Sequence, residues 1–238
     1  MRKLLSIWAV CALLMSLYNN ALAQTESRQL IYLGAGIEKE LSRKLSAGLD
    51  MEGRFCHEKG TQSLLITPSL EYSPIKYLSG GLEYRAEMEH ENGSDAQWTG
   101  RLGVFMKAKF QPSFLRLESR IKYCNYTEDY EDEGNLQYFR TRFQAGARIK
   151  SIKLTPYFSY EWFYNISRHL VDKDRYVVGI KKKIDKRNTV GFEYMLEEKF
   201  NRGKTKPDIN KNIFAFNYQY EIPASKKKNE NVEKRKQQ

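Results

Sequence analysis

The chain has 238 residues, 41% of them apolar and 13% aromatic, with a formal charge of +11. A mean hydropathy of -0.67 excludes a bundle of membrane helices. Arg2-Lys3 and the six Lys/Arg of the tail from Ser225 carry much of the excess; the body between them holds 32 basic and 27 acidic residues, too even a balance for a nucleic-acid-binding surface.

Residues 1–23 read as a secretory signal. Arg2 and Lys3 form its charged start, Leu4 through Leu17 its apolar run, and Ala21-Leu22-Ala23 a small-x-small cleavage site that leaves Gln24 as the mature N-terminus. Cys11 lies too early, and without the small residue before it, to be a lipidated cysteine. Cleavage leaves Cys56 and Cys124, which an exported protein can hold as a disulfide or as two separate thiols.

From Gln29 onward, eleven segments alternate apolar and polar residues with the period of a strand. The first, about Leu30–Glu38, puts Ile31, Leu33, Ala35 and Ile37 on one face. The second runs to Cys56, the third spans about Leu64–Tyr72, the fourth Tyr77–Glu89 and the fifth Gln97–Phe110. The sixth, Leu115–Tyr123, is the cleanest: Leu115, Leu117, Ile121 and Tyr123 oppose Arg116, Glu118, Arg120 and Lys122. Tyr138–Ile149, Leu154–Asn165, Arg175–Ile184, Thr189–Phe200 and Asn212–Ile222 complete the set.

Short turns near Ser42, Pro74, Pro112, Ser151 and Lys186 alternate with longer polar links at 57–62, 90–96, 127–135, 166–174 and 201–211. Ten-residue segments with short turns at one end and longer loops at the other describe an all-β, antiparallel, up-and-down transmembrane β-barrel over residues 24–223. A soluble secreted barrel or sandwich would also have one dry face. The uniform strand length and the aromatics near strand ends (Tyr84, Trp98, Tyr123, Trp162, Tyr176, Tyr218) favour the membrane form. Single-chain bacterial barrels are usually even-numbered. The expectation is therefore about ten to twelve strands, with a short strand hidden in 24–29 or one segment outside the wall. Short turns would face the periplasm, and the Lys-rich residues 224–238 would form a disordered periplasmic tail.

The run Gly36-Ile37-Glu38-Lys39-Glu40-Leu41-Ser42-Arg43-Lys44-Leu45, continuing into Asp50-Met51-Glu52-Gly53-Arg54-Phe55, resembles an uncharacterised Gram-negative outer-membrane barrel family, domain of unknown function 2490. Gly81-Leu82-Glu83-Tyr84-Arg85 and Arg140-Thr141-Arg142-Phe143 extend the likeness over the mature chain. The resemblance implies a fold and a cell outer-membrane location, and no activity or site residues.

Counting from the turn centres sets Arg120 opposite Arg142, Lys122 opposite Arg140, Glu161 opposite Arg142, and Arg101 opposite Lys122. Arg101, Arg120, Lys122, Arg140 and Arg142 would then form a basic patch on the inner wall, with Glu118 and Glu161 as counter-charges. Two readings fit: an interlocked charge network that holds the wall together, or a narrow constriction that passes or binds small anions. The partners expected are outer-membrane lipid and small lumenal anions; the oligomeric state is not legible.

Other classes have thinner support. A lipid-modifying enzyme would need a nucleophile and base, but His57, His90 and His169 all fall in links, and Ser167 beside His169 lacks triad geometry. No cysteine or histidine spacing suits zinc, and Glu128–Glu133 reads as a solvated acidic loop rather than a calcium site. No cofactor motif is present. A surface adhesion or scaffold barrel would carry its function in loops, and these are short.

Overall fold

The computed structural model describes residues 25–56, 61–90, 95–126, 136–200 and 208–223. The signal segment, the C-terminal tail, His57 and the acidic run 128–133 lie outside the described residues. Eleven strands form one closed barrel: β1 Thr25–Glu40, β2 Leu45–Cys56, β3 Thr61–Ile75, β4 Leu78–His90, β5 Gln97–Phe110, β6 Leu115–Tyr126, β7 Gln137–Ala147, β8 Leu154–Asn165, β9 Leu170–Lys183, β10 Asn188–Lys199 and β11 Asp208–Ile222.

Consecutive strands pair antiparallel, and β1 closes the ring on β11 in parallel, from Thr25 opposite Asp208 to Lys39 opposite Ile222. An odd number of up-and-down strands can close in no other way, because the first and last run in the same direction. No hidden strand and no segment outside the wall is needed: residues 25–29 are the start of β1 itself. Thr25 consequently stands at the long-loop end, and β11 finishes at the short-turn end.

The alternating pattern resolves into an inside-out molecule. Leu33, Ile121 and Phe216 are half exposed on the outer wall, while Glu161, Lys122 and Arg140 are almost wholly enclosed, at 3%, 3% and 7% exposure. A soluble barrel would bury the first set and wet the second. A lipid-facing exterior around a polar interior is the arrangement of a transmembrane barrel.

Two departures from the expected pattern have local causes. The link expected at 166–174 is a four-residue turn, in which the Arg168 N–H donates to Asn165 Oδ1 at 3.1 Å and His169 adopts a φ of 55°. β9 starts at Leu170, and the β8–β9 register shifts between Phe163 and Tyr164, leaving Asp172 as the extra residue of a bulge. The bulge breaks the alternation that would otherwise have marked 170–174 as strand. In β3, the ladder to β4 skips Thr67 and Pro68, where proline has no N–H to give. Cys56 and Cys124 are buried on separate strands and are not joined in a disulfide.

Placing a charge on the outer wall tests its exposure to lipid. Leu33→Arg or Phe216→Lys, both near mid-strand, should cost about 2–4 kcal/mol in urea unfolding from lipid vesicles. Unchanged stability would contradict a lipid-facing wall.

Candidate functional site

The inner wall opposes like charges. Arg85 faces Arg101, Lys107 faces Arg120, Arg120 faces Arg142, and Lys122 faces Arg140 across neighbouring strands. Directly opposed like charges repel, so such a ladder stands only if carboxylates reach between its rungs. They do so largely by skipping a strand. Glu83 of β4 takes Lys122 of β6 in a very short contact, Glu71 of β3 takes Lys107 of β5 at 2.6 Å, and Glu87 of β4 takes Arg54 of β2 at 3.3 Å. Glu161 of β8 accepts from Arg120 of β6 at 3.0 Å and from Arg140 of β7 at 3.0 Å, with Arg175 of β9 at 3.8 Å. The tight curvature of a small barrel brings inward side chains of alternate strands within reach.

Cations outnumber the carboxylates they share. Three arginines converge on Glu161, and Glu83 serves Arg101, at 3.5 Å, as well as Lys122. Buried Nε donors of Arg120, Arg140 and Arg142 find no acceptor in the protein. Among the described residues Arg85 makes no ion pair, and its Nε donates to Thr67 Oγ1 at 3.3 Å.

Towards the long loops the lumen is packed with aromatic rings capped by cations. Phe163 carries Lys173 at 4.3 Å, Arg140 at 4.5 Å and Arg175 at 5.5 Å from its ring centre. Arg54 lies over Tyr32 and Arg101 over Tyr126. Cys124, Leu136, Tyr138 and Phe163 form one buried cluster, and Leu30, Tyr32, Cys56 and Ile213 belong to another. Beside them the bulged Asp172, 1% exposed, accepts from Tyr138 Oη at 3.1 Å and from Asn165 Nδ2 at 2.9 Å.

On the short-turn side of this layer lies a cavity of about 750 Å³. Its lining reaches Glu52, Arg85, Lys122, Arg140, Glu161 and Arg175 and stops there; Phe163, Tyr126, Tyr138 and Lys173 do not touch it. Ten basic and seven acidic side chains line it. Gly34 and Gly36 leave one wall bare, so that Asn217, Gln219 and Asp50 lie across them. At Gly179 the Tyr157 ring lies where a Cβ would stand 2.7 Å from it, and Tyr157 Oη donates to Glu193 while Lys181 sits over the ring.

Of the five basic residues singled out in the sequence, Arg120, Lys122, Arg140 and Arg142 line this cavity. Their counter-charges are placed with them: Glu118 accepts from Arg142 at 2.5 Å, and Glu161 lies opposite Arg142 in the ladder. Arg101 differs. It faces Tyr126, not Lys122, and touches the set only through Glu83. The β5–β6 turn is centred two residues later than Pro112 implied, because Ser113 takes a φ of 52° and Leu115 N–H bonds back to Pro112 O. Two residues of turn make four of register. Sequence reading overlooked the aromatic layer, although Tyr32, Phe105, Tyr126, Tyr138 and Phe163 all sit on the charged parity of their strands. Ser167 and His169 share the β8–β9 turn, and His90 is exposed at the end of β4. Among the described residues no group of three or more His, Cys, Asp or Glu is placed to hold a metal.

The shared carboxylate should be far more costly to lose than a peripheral one. Glu161→Gln, which strips the partner from buried arginines, should cost about 3–5 kcal/mol in denaturant unfolding. Glu118→Gln, whose pair with Arg142 is about a quarter exposed, should cost about 1 kcal/mol or less. Equal losses would contradict the central place of Glu161.

Comparison with known proteins places this geometry in a family. No curated protein matches the chain. Among solved structures it is similar to an anion-selective porin from Comamonas acidovorans, at 12% identity and a TM-score of 0.38, over 72% of this chain and 52% of that one. The chain thus spans about half the length of that porin. A family model described as "Protein of unknown function (DUF2490)" matches residues 30–207, nearly the whole barrel, and the chain belongs to that family.

Proposed function

We propose that the protein is an outer-membrane barrel whose lumen is a blind, basic cup that binds small anions from the short-turn side. The observation that carries this reading is the excess of guanidinium and ammonium groups over carboxylates along a cavity that ends at the aromatic layer. A wall built only to hold itself together would balance its charges pair by pair. Here three arginines share Glu161, and among the described residues Arg85 makes no ion pair. A further anion would relieve the repulsion between the opposed Arg120 and Arg142.

The aromatic layer separates binding from passage. Phe163 and its three cations line the arc from β7 to β9, and Arg54 over Tyr32 and Arg101 over Tyr126 add side chains from β1, β2, β5 and β6, so that small solutes entering the cup meet packed side chains. The inside-out wall supports an outer-membrane address, with the short turns towards the periplasm. An enzyme reading draws no support from Ser167 and His169, which lie two residues apart in one four-residue turn.

In planar bilayers the wild-type barrel should show no sustained conductance. Phe163→Ala combined with Tyr138→Ala should open one that prefers anions, read from the reversal potential under a salt gradient, and Arg140→Ala with Arg142→Ala added should lose that preference. Large wild-type conductance would refute the blind cup. Cation preference in the opened barrel would refute the basic lumen.

A further inference from the structure

The short turns form a ring of a different character from the lumen. The β1–β2 turn exposes Arg43 and Lys44 beside Leu41, and the β3–β4 turn exposes Lys76 between Ile75 and Tyr77. The β7–β8 turn interleaves Arg148, Lys150 and Lys153 with Ile149 and Ile152. The β9–β10 turn sets Lys186 and Arg187 after Ile184, and the β5–β6 turn presents Phe110 and Phe114. These apolar side chains are 41–61% exposed. Among the described residues none of the eight turn cations makes an ion pair with a carboxylate. Asp185 is the sole acid in the five turns, and it is spent on its own turn. Its carboxylate accepts from the Arg187 N–H at 2.7 Å, from Asn188 Nδ2 at 2.6 Å and from the Asn188 N–H at 2.8 Å, which hold it below the ordinary carboxylate range.

We infer that this ring is a docking surface for anionic phospholipid headgroups of the leaflet that surrounds the short-turn end. The inference rests on the membrane reading above. Unpaired cations at the level of a bilayer surface attract acidic headgroups, and the attraction falls with salt. The apolar residues decide between lipid and other polyanions. Ile75, Tyr77, Phe114 and Ile152 continue the lipid-facing wall into the turns, where they enter the acyl boundary while the adjacent lysines and arginines stay at headgroup depth. An acidic polymer in water would neutralise the cations but leave these side chains wet. The opposite end differs in charge: its five connections, by sequence, hold eight Asp/Glu against five Lys/Arg. The ring therefore also gives the barrel a preferred direction in a membrane whose leaflets differ in acidic lipid.

The test is lipid retention by the full chain reconstituted in mixed phosphatidylcholine and phosphatidylglycerol, then extracted in detergent, with bound lipid counted by mass spectrometry. Phosphatidylglycerol should be enriched several-fold over its bulk share, and the enrichment should fade at high salt. Arg148→Gln, Lys150→Gln and Lys153→Gln together should lower it at least about twofold, and Ile149→Ser with Ile152→Ser should lower total retained lipid. Circular dichroism checks that each variant keeps its barrel. Retention at the bulk ratio overturns the proposal, as does enrichment that survives the turn variants but is lost in Arg120→Ala with Arg142→Ala, which would assign the lipid to the cup. Unchanged lipid ratios with lost binding to isolated peptidoglycan overturn it in favour of the cell wall. A chain that inserts into neither lipid refutes the membrane reading itself and is told apart by its failure to insert.

Discussion

A barrel wall in hydrocarbon has nowhere to leave a backbone N–H or C=O unpaired, and the rest of this structure follows from how that demand is met. Ten antiparallel pairings and the parallel pairing of β1 with β11 close the ring without an edge. Closure leaves each side chain two destinations, lipid or lumen. The odd strand number then sets the two ends of the described chain at opposite rims, so that Thr25 and Ile222 are separated by the height of the wall although their strands are neighbours.

The lumen must accommodate everything the outer wall rejects. Charged residues arrive there on strands whose registers oppose arginine to arginine and lysine to arginine. Enclosed charges of one sign are costly unless compensated at close range. Compensation comes from side chains two strands away, Glu83 to Lys122, Glu71 to Lys107 and Glu161 to Arg120, and the neutral Tyr157 hydroxyl spans two strands in the same way to Glu193. These bridges act as chords across the barrel, tying strands that share no backbone hydrogen bond. Towards the long loops aromatic rings fill the space between the charges, and their faces take cations. Towards the short turns the cavity opens among the chords themselves, since Glu83, Lys122, Glu161 and Arg120 all line it.

Cup and rim thus occupy the same end of the molecule and share an excess of positive charge, by different physics. In the cup the cations are enclosed and partly compensated. At the rim they are exposed, make no ion pair among the described residues and are set among apolar side chains, Lys76 lying over the Tyr77 ring. The first is the setting of the proposed anion site, and the second that of the proposed lipid contact. The acidic bias of the opposite connections gives the barrel an electrostatic axis along the membrane normal.

Alternation alone determined that the chain is all-β, marked eleven strand segments and gave the face on which most side chains lie, because a two-residue period survives any change of neighbour. Residues 115–123 show it: their apolar and charged parities read directly as outer and inner wall. Hairpins with tight or symmetric connections were equally legible, so the facings of Arg120 with Arg142 and of Lys122 with Arg140 follow from the sequence. Tertiary structure decided the rest. The turn at Ser113 moved Arg101 four residues away from Lys122, and the bulge at Asp172 hid the start of β9 from any test of period. The chords of Glu83 and Glu161 join strands that are not neighbours in the ladder, and the curvature that brings them together exists only once β1 has met β11.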